Sequence, residues 1–309
     1  MIEDNNIKTT VSPFAMRTGE IKVFDGKDGY VSMNQILQKI NIGQINDIHF
    51  KILELINKFE FLTSRQLFQL LTMDKVDIKD QEKLTKRLEA LVKNKILTRY
   101  YFTSSEGKGI FRVYCLEKMG KYLLNSREIE CKWQPSDNAK PVEMMKKKLA
   151  GNQLLIAYLR KVKSVQSYKL KPQIKAKANA KIFKPIARID FNYNNQNISF
   201  VYEVIRRNKD WEKQLLDRML LWKDFYENYV PGDSDFMGIP QLVFVCEDEK
   251  HMAEVFKTLY LNRISINNIK FYYTTDLSQN DEELERSLFD FVEVDGKFRM
   301  RRVAAKILS

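Results

Sequence analysis

Two carboxylates on successive strands are the residues of this chain best placed to do chemistry. Asp190 lies in the run KPIARIDF, and Glu203 follows thirteen residues later in ISFVYEVI. The polar NYNNQN between these two β-prone runs reads as a turn, so the pair belongs to a hairpin. Carboxylates on adjacent strands could share one Mg²⁺, a hard cation that prefers oxygen ligands and positions a hydrolytic water. Asp190 and Glu203 are the candidate catalytic residues, with Mg²⁺ as cofactor if they act and none otherwise. A dedicated histidine metal site is excluded, because His49 and His251 are the only histidines.

The elements around this hairpin alternate between helix and strand from Val142 onward, the pattern of an α/β layer. VEMMKKKLAGNQLLIAYLRKV predicts a long helix with Leu149, Gln153, Ile156 and Leu159 near its buried side. A strand or two in SVQSYKLKPQIK precede the hairpin. Then follow the helix DWEKQLLDRMLLWKDFYENY, the strand QLVFVCE, the helix KHMAEVFKTLYLNR and the strand IKFYYTTD. A last helix is expected around DEELERSLFDF, ahead of a basic tail.

This half resembles the PD-(D/E)xK nuclease core, whose aspartate and Glu-x-Lys triplet occupy successive strands of a hairpin. The family's lysine falls on Ile205, an apolar residue that cannot stabilise a phosphoryl transition state. Arg206 follows, aimed by strand alternation at the opposite face, and Lys213 on the next helix is the remaining cation. Pro185 stands five residues before Asp190 instead of one. The resemblance implies a restriction-endonuclease-like domain that no longer cuts; a Mg-dependent endonuclease with a relocated lysine is the alternative.

A second organised stretch covers residues 43–124. DIHFKILELINKFEF repeats Ile48, Ile52, Leu55, Ile56 and Phe59 at helical spacing. A second helix opens at Thr63, with Gln66 placed to complete a capping box. The third, KDQEKLTKRLEALVKN, turns Leu84, Leu88, Leu91 and Val92 inward and Gln81, Lys83, Thr85, Lys86 and Arg87 outward. The strands ILTRYYF and IFRVYCL, joined by SSEGKG, complete a winged helix-turn-helix. Lys79, Lys83, Thr85, Lys86 and Arg87 are expected to face a DNA groove. Lys108 and Arg112 on the wing should meet phosphate, where they add affinity but carry no sequence information.

The net charge of +12 is gathered in one place. Residues 140–188 hold 14 Lys and Arg against the single acid Glu143, so the remainder of the chain sums to −1. Such concentration favours a polyanion partner, and Lys146, Lys147, Lys148, Lys175 and Lys177 are its expected contacts. The segment lacks the apolar face of a membrane-surface helix, and no apolar run approaches the roughly 18–20 residues that span a bilayer.

The remaining stretches read as connections. Residues 1–42 predict a loosely ordered arm and 125–141 a linker, with Trp133 as an anchor. MIEDNNIKTT has neither the basic start nor the apolar core of a secretion signal. Cys115, Cys131 and Cys246, odd in number and widely spaced, read as reduced thiols of a cytoplasmic protein.

Both halves together resemble the replication-relaxation proteins of plasmids and integrative elements of Gram-positive bacteria. The likeness rests on LT-R-QL at the second helix, RLEALVKNKIL, LEKMGKYLL after the wing, Asp190, FVYEVIR, DWEKQLLDRMLLWKDFY and QLVFV, across residues 45–275. It departs from the family at Arg206-Arg207-Asn208, where an acidic and then a small polar residue are usual. The expectation is an α+β chain of two domains: winged helix at 43–124 and nuclease-like α/β domain at 142–309. Its implied work is sequence-specific binding of double-stranded DNA at a replication or conjugative-transfer origin, with transcription regulation of the same element as the alternative. A second copy of the chain, a relaxase or replication proteins are the protein partners this implies; no membrane is.

Overall fold

A side-chain cap starts the helix after Thr63 where the sequence places it. The Gln66 N–H donates to Thr63 Oγ1 at 3.2 Å and the Thr63 N–H to Gln66 Oε1 at 3.1 Å, closing the expected capping box. The computed structural model describes residues 11–176, 181–230, 236, 238–266, 269–280 and 283–309, the side chains of Lys108, Ile110 and Asn280 excepted. The chain divides into two units, Arg17–Met145 and Met1–Met16 with Lys146–Ser309.

The first unit runs β1 (Ile21–Phe24), α1 (Met33–Asn41), α2 (Asp47–Phe59), β2 (Leu62–Thr63), α3 (Ser64–Met73), α4 (Gln81–Lys93), β3 (Leu97–Ser104), β4 (Gly107–Leu116), α5 (Lys118–Asn125) and α6 (Pro135–Asn138). β3 and β4 form an antiparallel hairpin, and β2 pairs with the far side of β4, giving the order β1-β3-β4-β2. Ile52, Leu53 and Ile56 of α2, Leu67 and Leu71 of α3, and Leu84, Leu88 and Leu91 of α4 are fully buried. At about 1.5–3 kcal/mol for each buried aliphatic side chain, this shared face holds the three helices together. Ile48, expected on it, is only half-buried.

Two expectations for this unit need correcting. The arm 1–42 is not loosely ordered in its described part. β1 pairs antiparallel with the open edge of β3, and α1 starts on a Ser32 capping box and buries Ile36. A free strand edge is a template for one more strand, which a reading by local pattern does not see. The stretch 125–141 is held to the first unit: the Trp133 indole donates to Asn138 Oδ1, and Asn138 Nδ2 donates to the Leu116 carbonyl. The boundary therefore falls at 145/146, inside a helix, and the described residues 11–16 belong with the second unit.

That helix is α7 (Val142–Lys161), followed by β5 (Val165–Leu170), β6 (Ile174–Ala176), β7 (Lys181–Phe183), β8 (Ala187–Tyr193), β9 (Gln196–Val204), α8 (Trp211–Glu227), β10 (Gln241–Cys246), α9 (Glu249–Leu261), β11 (Phe271–Thr275), β12 (Leu288–Val294) and β13 (Lys297–Val303). Seven strands form one sheet in the order β13-β12-β11-β10-β9-β8-β5, parallel along β9-β10-β11 and antiparallel elsewhere. α7 covers one face through Tyr158, whose ring meets those of Phe191 and Tyr202 edge-on. On the other face Leu215, Met219 and Trp222 of α8 and Met252, Val255 and Leu259 of α9 pack with Val201, Leu242 and Phe244. The β6–β7 pair forms its own two-stranded ribbon. The helix expected around DEELERSLFDF and the tail after it are instead a 3₁₀ turn (Leu284–Arg286) and the β12–β13 hairpin. Asp295 and Gly296 turn it with φ of 52° and 71°, and Asp-Gly between alternating runs is a strong hairpin signal that outranks the short helical pattern.

Candidate functional site

The sheet register decides what Asp190 and Glu203 can do together. Asp190 stands opposite Ser199 on β9, and both point to the face covered by α8 and α9. Glu203 lies four residues further along β9 on that same face. At about 3.4 Å per residue, four positions along β9 separate the Cα atoms of Ser199, the partner of Asp190, and Glu203 by roughly 14 Å. The residue beside Glu203 at the start of β8 is Ile186, which packs against α7: a Cβ on Gly151 would come within 2.1 Å of its Cγ2. The register therefore does not set the two carboxylates side by side, because adjacency of strands does not imply adjacency along them.

Each carboxylate already has partners. Asp190 is 5% exposed and accepts from Ser167 Oγ (2.6 Å), Ser199 Oγ (2.6 Å) and Arg188 Nε (2.8 Å). Burial alone would raise its pKa, but the hydrogen bonds from Arg188, Ser167 and Ser199 outweigh it and hold the carboxyl below its ordinary value. Glu203 accepts from Trp222 Nε1 at 2.9 Å and pairs with Arg218 Nε at 3.3 Å. The cation that reaches it from α8 is Arg218, whereas Lys213 is exposed. Ile205, at the position of the family's lysine, is 8% exposed and belongs to the α8–α9 core. Among the described residues no group of three or more His, Cys, Asp or Glu is gathered to hold a metal ion.

On the first unit, α4 presents Lys83 and Lys86 to solvent, with Lys79 exposed just ahead of it. Lys86 is three-quarters exposed and pairs with Glu82 one turn back at 2.7 Å. Two of the expected groove residues are less available. The Thr85 hydroxyl donates to the Gln81 carbonyl at 2.9 Å, and Arg87 is half-buried with Nη1 3.5 Å from Asn46 Oδ1. Residues 74–93 hold six basic and five acidic side chains, so α4 and the loop before it carry a net charge of only +1.

On the β3–β4 hairpin, Arg112 is engaged from outside it: Asp25 pairs with its Nε at 2.6 Å and with Arg99 Nε at 3.0 Å. The expected phosphate contact therefore starts from an ion pair that phosphate would have to displace. The Lys108 side chain lies outside the described residues, as does Lys177.

The basic segment is less uniform than its charge count. Lys146 and Lys148 are 1% and 3% exposed, and Lys146 Nζ donates to the Ala15 carbonyl at 2.5 Å. They are not surface contacts for a polyanion, because α7 is covered around most of its circumference near its start and residues 11–16 supply the oxygen. Lys147 is half-buried, and Arg188 is committed to Asp190. Among the described residues of the segment the exposed charge is Arg160, Lys161, Lys163, Lys169, Lys175, Lys181 and Lys184.

The polar cluster that pattern reading missed sits at the carboxyl ends of β9, β10 and β11, where ligands bind in open α/β sheets. Arg206 Nη2 pairs with Asp276 Oδ1 at 2.7 Å, and both side chains are almost wholly buried. The Ser12 hydroxyl donates to the other Asp276 oxygen, and Glu247 Oε1 accepts the Met16 N–H at 3.1 Å and the Arg207 N–H at 2.9 Å. Arg207 is forked between Asp248 and Glu254. Burial pushes the Glu247 and Asp276 carboxyls up against the opposing pull of Arg206. Burial, and then Arg207 and Arg206, lower the His251 pKa to about 3, so its imidazole is neutral. Residues 12–16 thereby lock across the strand ends. Its signal was available: charged residues directly after three successive strands.

No family model, no curated protein and no solved structure matches the chain. Among the described residues no helix is long and apolar enough to cross a membrane.

Proposed function

We propose that the protein is a sequence-specific double-stranded-DNA-binding protein whose first unit is a winged helix-turn-helix with α4 as its reading helix. The observation that carries this is the pairing of β2 with β4. It gives helix, strand, helix, helix and hairpin in winged-helix order, with β4 between β3 and β2 and α4 entering directly before the wing. Such a unit lays its last helix in the major groove. Lys83 and Lys86 project from α4 into solvent, and Lys79 lies at its entry.

The second unit's order α7-β5-β8-β9-α8-β10 supports a nuclease-like scaffold, and the engagement of Asp190, Glu203 and Ile205 in structural contacts favours one that holds DNA without cutting it. Likeness in pattern to replication-relaxation proteins puts the site at an origin of a mobile element. Footprinting on the DNA that carries the gene, with Lys83→Ala/Lys86→Ala beside wild type, tests the reading. The variant should lose selectivity for the protected site by tenfold or more, since each good base contact is worth about 1–3 kcal/mol. A double variant that protects the same site at the same concentration would show that α4 does not read it. Incubation of supercoiled plasmid with Mg²⁺ should leave it uncut, and cleavage would return the second unit to the nucleases.

A further inference from the structure

The ribbon β6–β7 has one face committed to the core and one face that is not. Ile174, Ala176 and Phe183 are buried with Leu215, Met219 and Trp222 of α8, and the Phe183 and Trp222 rings meet edge-on at 4.9 Å. Arg218 braces the same strand, with its guanidinium 5.3 Å from the Phe183 ring and Nη2 3.5 Å from the Lys184 carbonyl. The ribbon is therefore pinned along its inner side.

Its outer face is read from the register. Lys175 pairs with Ile182, and one more step of that ladder sets Gln173 opposite Lys184. All four are exposed, Ile182 at 60%, and Lys181 is exposed beside them. No acidic residue occurs between Glu143 and Asp190, so the ribbon has no carboxylate of its own to neutralise these lysines. A lone exposed isoleucine on a protein surface is unremarkable. Here it sits across from a lysine on a braced two-stranded ribbon, with further lysines on the same strand.

A partner that fits must offer closely spaced negative charge beside an apolar wall. A duplex groove does so: phosphates line its edges, sugars and thymine methyls its walls, and its width admits a two-stranded ribbon. We infer that the outer face of β6–β7 is a second DNA-contacting surface, which places Lys175 and Lys184 on phosphates, with Ile182 against the groove wall. The identity of the partner rests on the winged-helix reading. The location of the surface does not, since it follows from the ribbon's register and exposure.

The test compares full-length wild type, Lys175→Ala/Lys184→Ala and Ile182→Ser on a labelled duplex carrying the footprinted site, with binding measured across a salt series. Exposed substitutions of this kind leave folding nearly unchanged, which the urea midpoint checks. Loss of two phosphate contacts lowers the slope of log K against log salt by about 1.8, which is a loss of roughly 30-fold at 0.15 M salt. The preference for the specific site over other duplex should stay as in wild type, because phosphate contacts carry no sequence information. Ile182→Ser should weaken binding with the slope unchanged. If wild type binds and the double variant keeps its slope, the ribbon is not a DNA surface, and binding of an acidic protein at the same lysines would have the same consequence. If wild type binds no duplex at all, the winged-helix reading fails first and the ribbon's partner falls with it.

Discussion

Replacing Asp190 by alanine should destabilise the second unit rather than silence a reaction. The carboxylate is buried at 5% exposure and takes hydrogen bonds from two serines at 2.6 Å and from Arg188 at 2.8 Å. Alanine leaves the Arg188 guanidinium, whose side chain is 11% exposed, with its charge unanswered. Removing one member of a buried ion pair costs about 3–5 kcal/mol. Ser167 can turn back to water, so the lower half of that range applies. Asp190→Asn keeps one acceptor oxygen but loses the charge and turns the other oxygen into a donor, for roughly 1–3 kcal/mol. Urea unfolding followed by tryptophan fluorescence in a Trp133→Phe background, which leaves Trp211 and Trp222 on α8, reads the second unit. The pH dependence has a defined sign. The native pKa lies below the ordinary carboxylate value, so the stabilisation is present above about pH 4 and is lost as pH falls through the lower native value. The gap between wild type and Asp190→Ala should therefore close in acid. A loss under about 1 kcal/mol would refute this account, as would a Mg-dependent plasmid cleavage that disappears in an equally stable variant.

Two further outcomes follow from close packing and buried charge. In the first unit a Cβ on Gly120 would come within 2.5 Å of the Ile96 carbonyl oxygen, which is backbone and cannot swing aside, so Gly120→Ala should cost about 1–3 kcal/mol in thermal unfolding. In the second unit Asp276→Ala strands the wholly buried Arg206 guanidinium, for a loss of about 3–5 kcal/mol. Asp276→Ala combined with Arg206→Met should recover part of it, and a double variant no better than the single one would mean that the pair is not the main stabilising contact there.

Much of the first unit was legible because its determinants are local. The Thr63–Gln66 box, the inward stripe Leu84, Leu88, Leu91 and Val92, and the alternation of β3 and β4 all act between residues a few places apart. The β8–β9 turn was legible for the same reason, since Asn194 and Asn195 adopt the left-handed conformation that a tight hairpin needs. The same kind of signal stood at Asp295-Gly296 and was outweighed by an apparent helical period in DEELERSLFDF.

The sequence by itself determined most of the order of elements, the Thr63–Gln66 cap and the absence of acid between Glu143 and Asp190. Tertiary structure alone decided which of those charges face water. Lys146 and Lys148 look like part of a solvated run until residues 11–16 and the packing around α7 bury them. It also decided that Asp190 meets Ser199 rather than Glu203, and that Arg206 and Asp276, 70 residues apart, form one buried pair. Period and capping are set by neighbours along the chain, while register and burial are set by elements far away in it. No local window contains them.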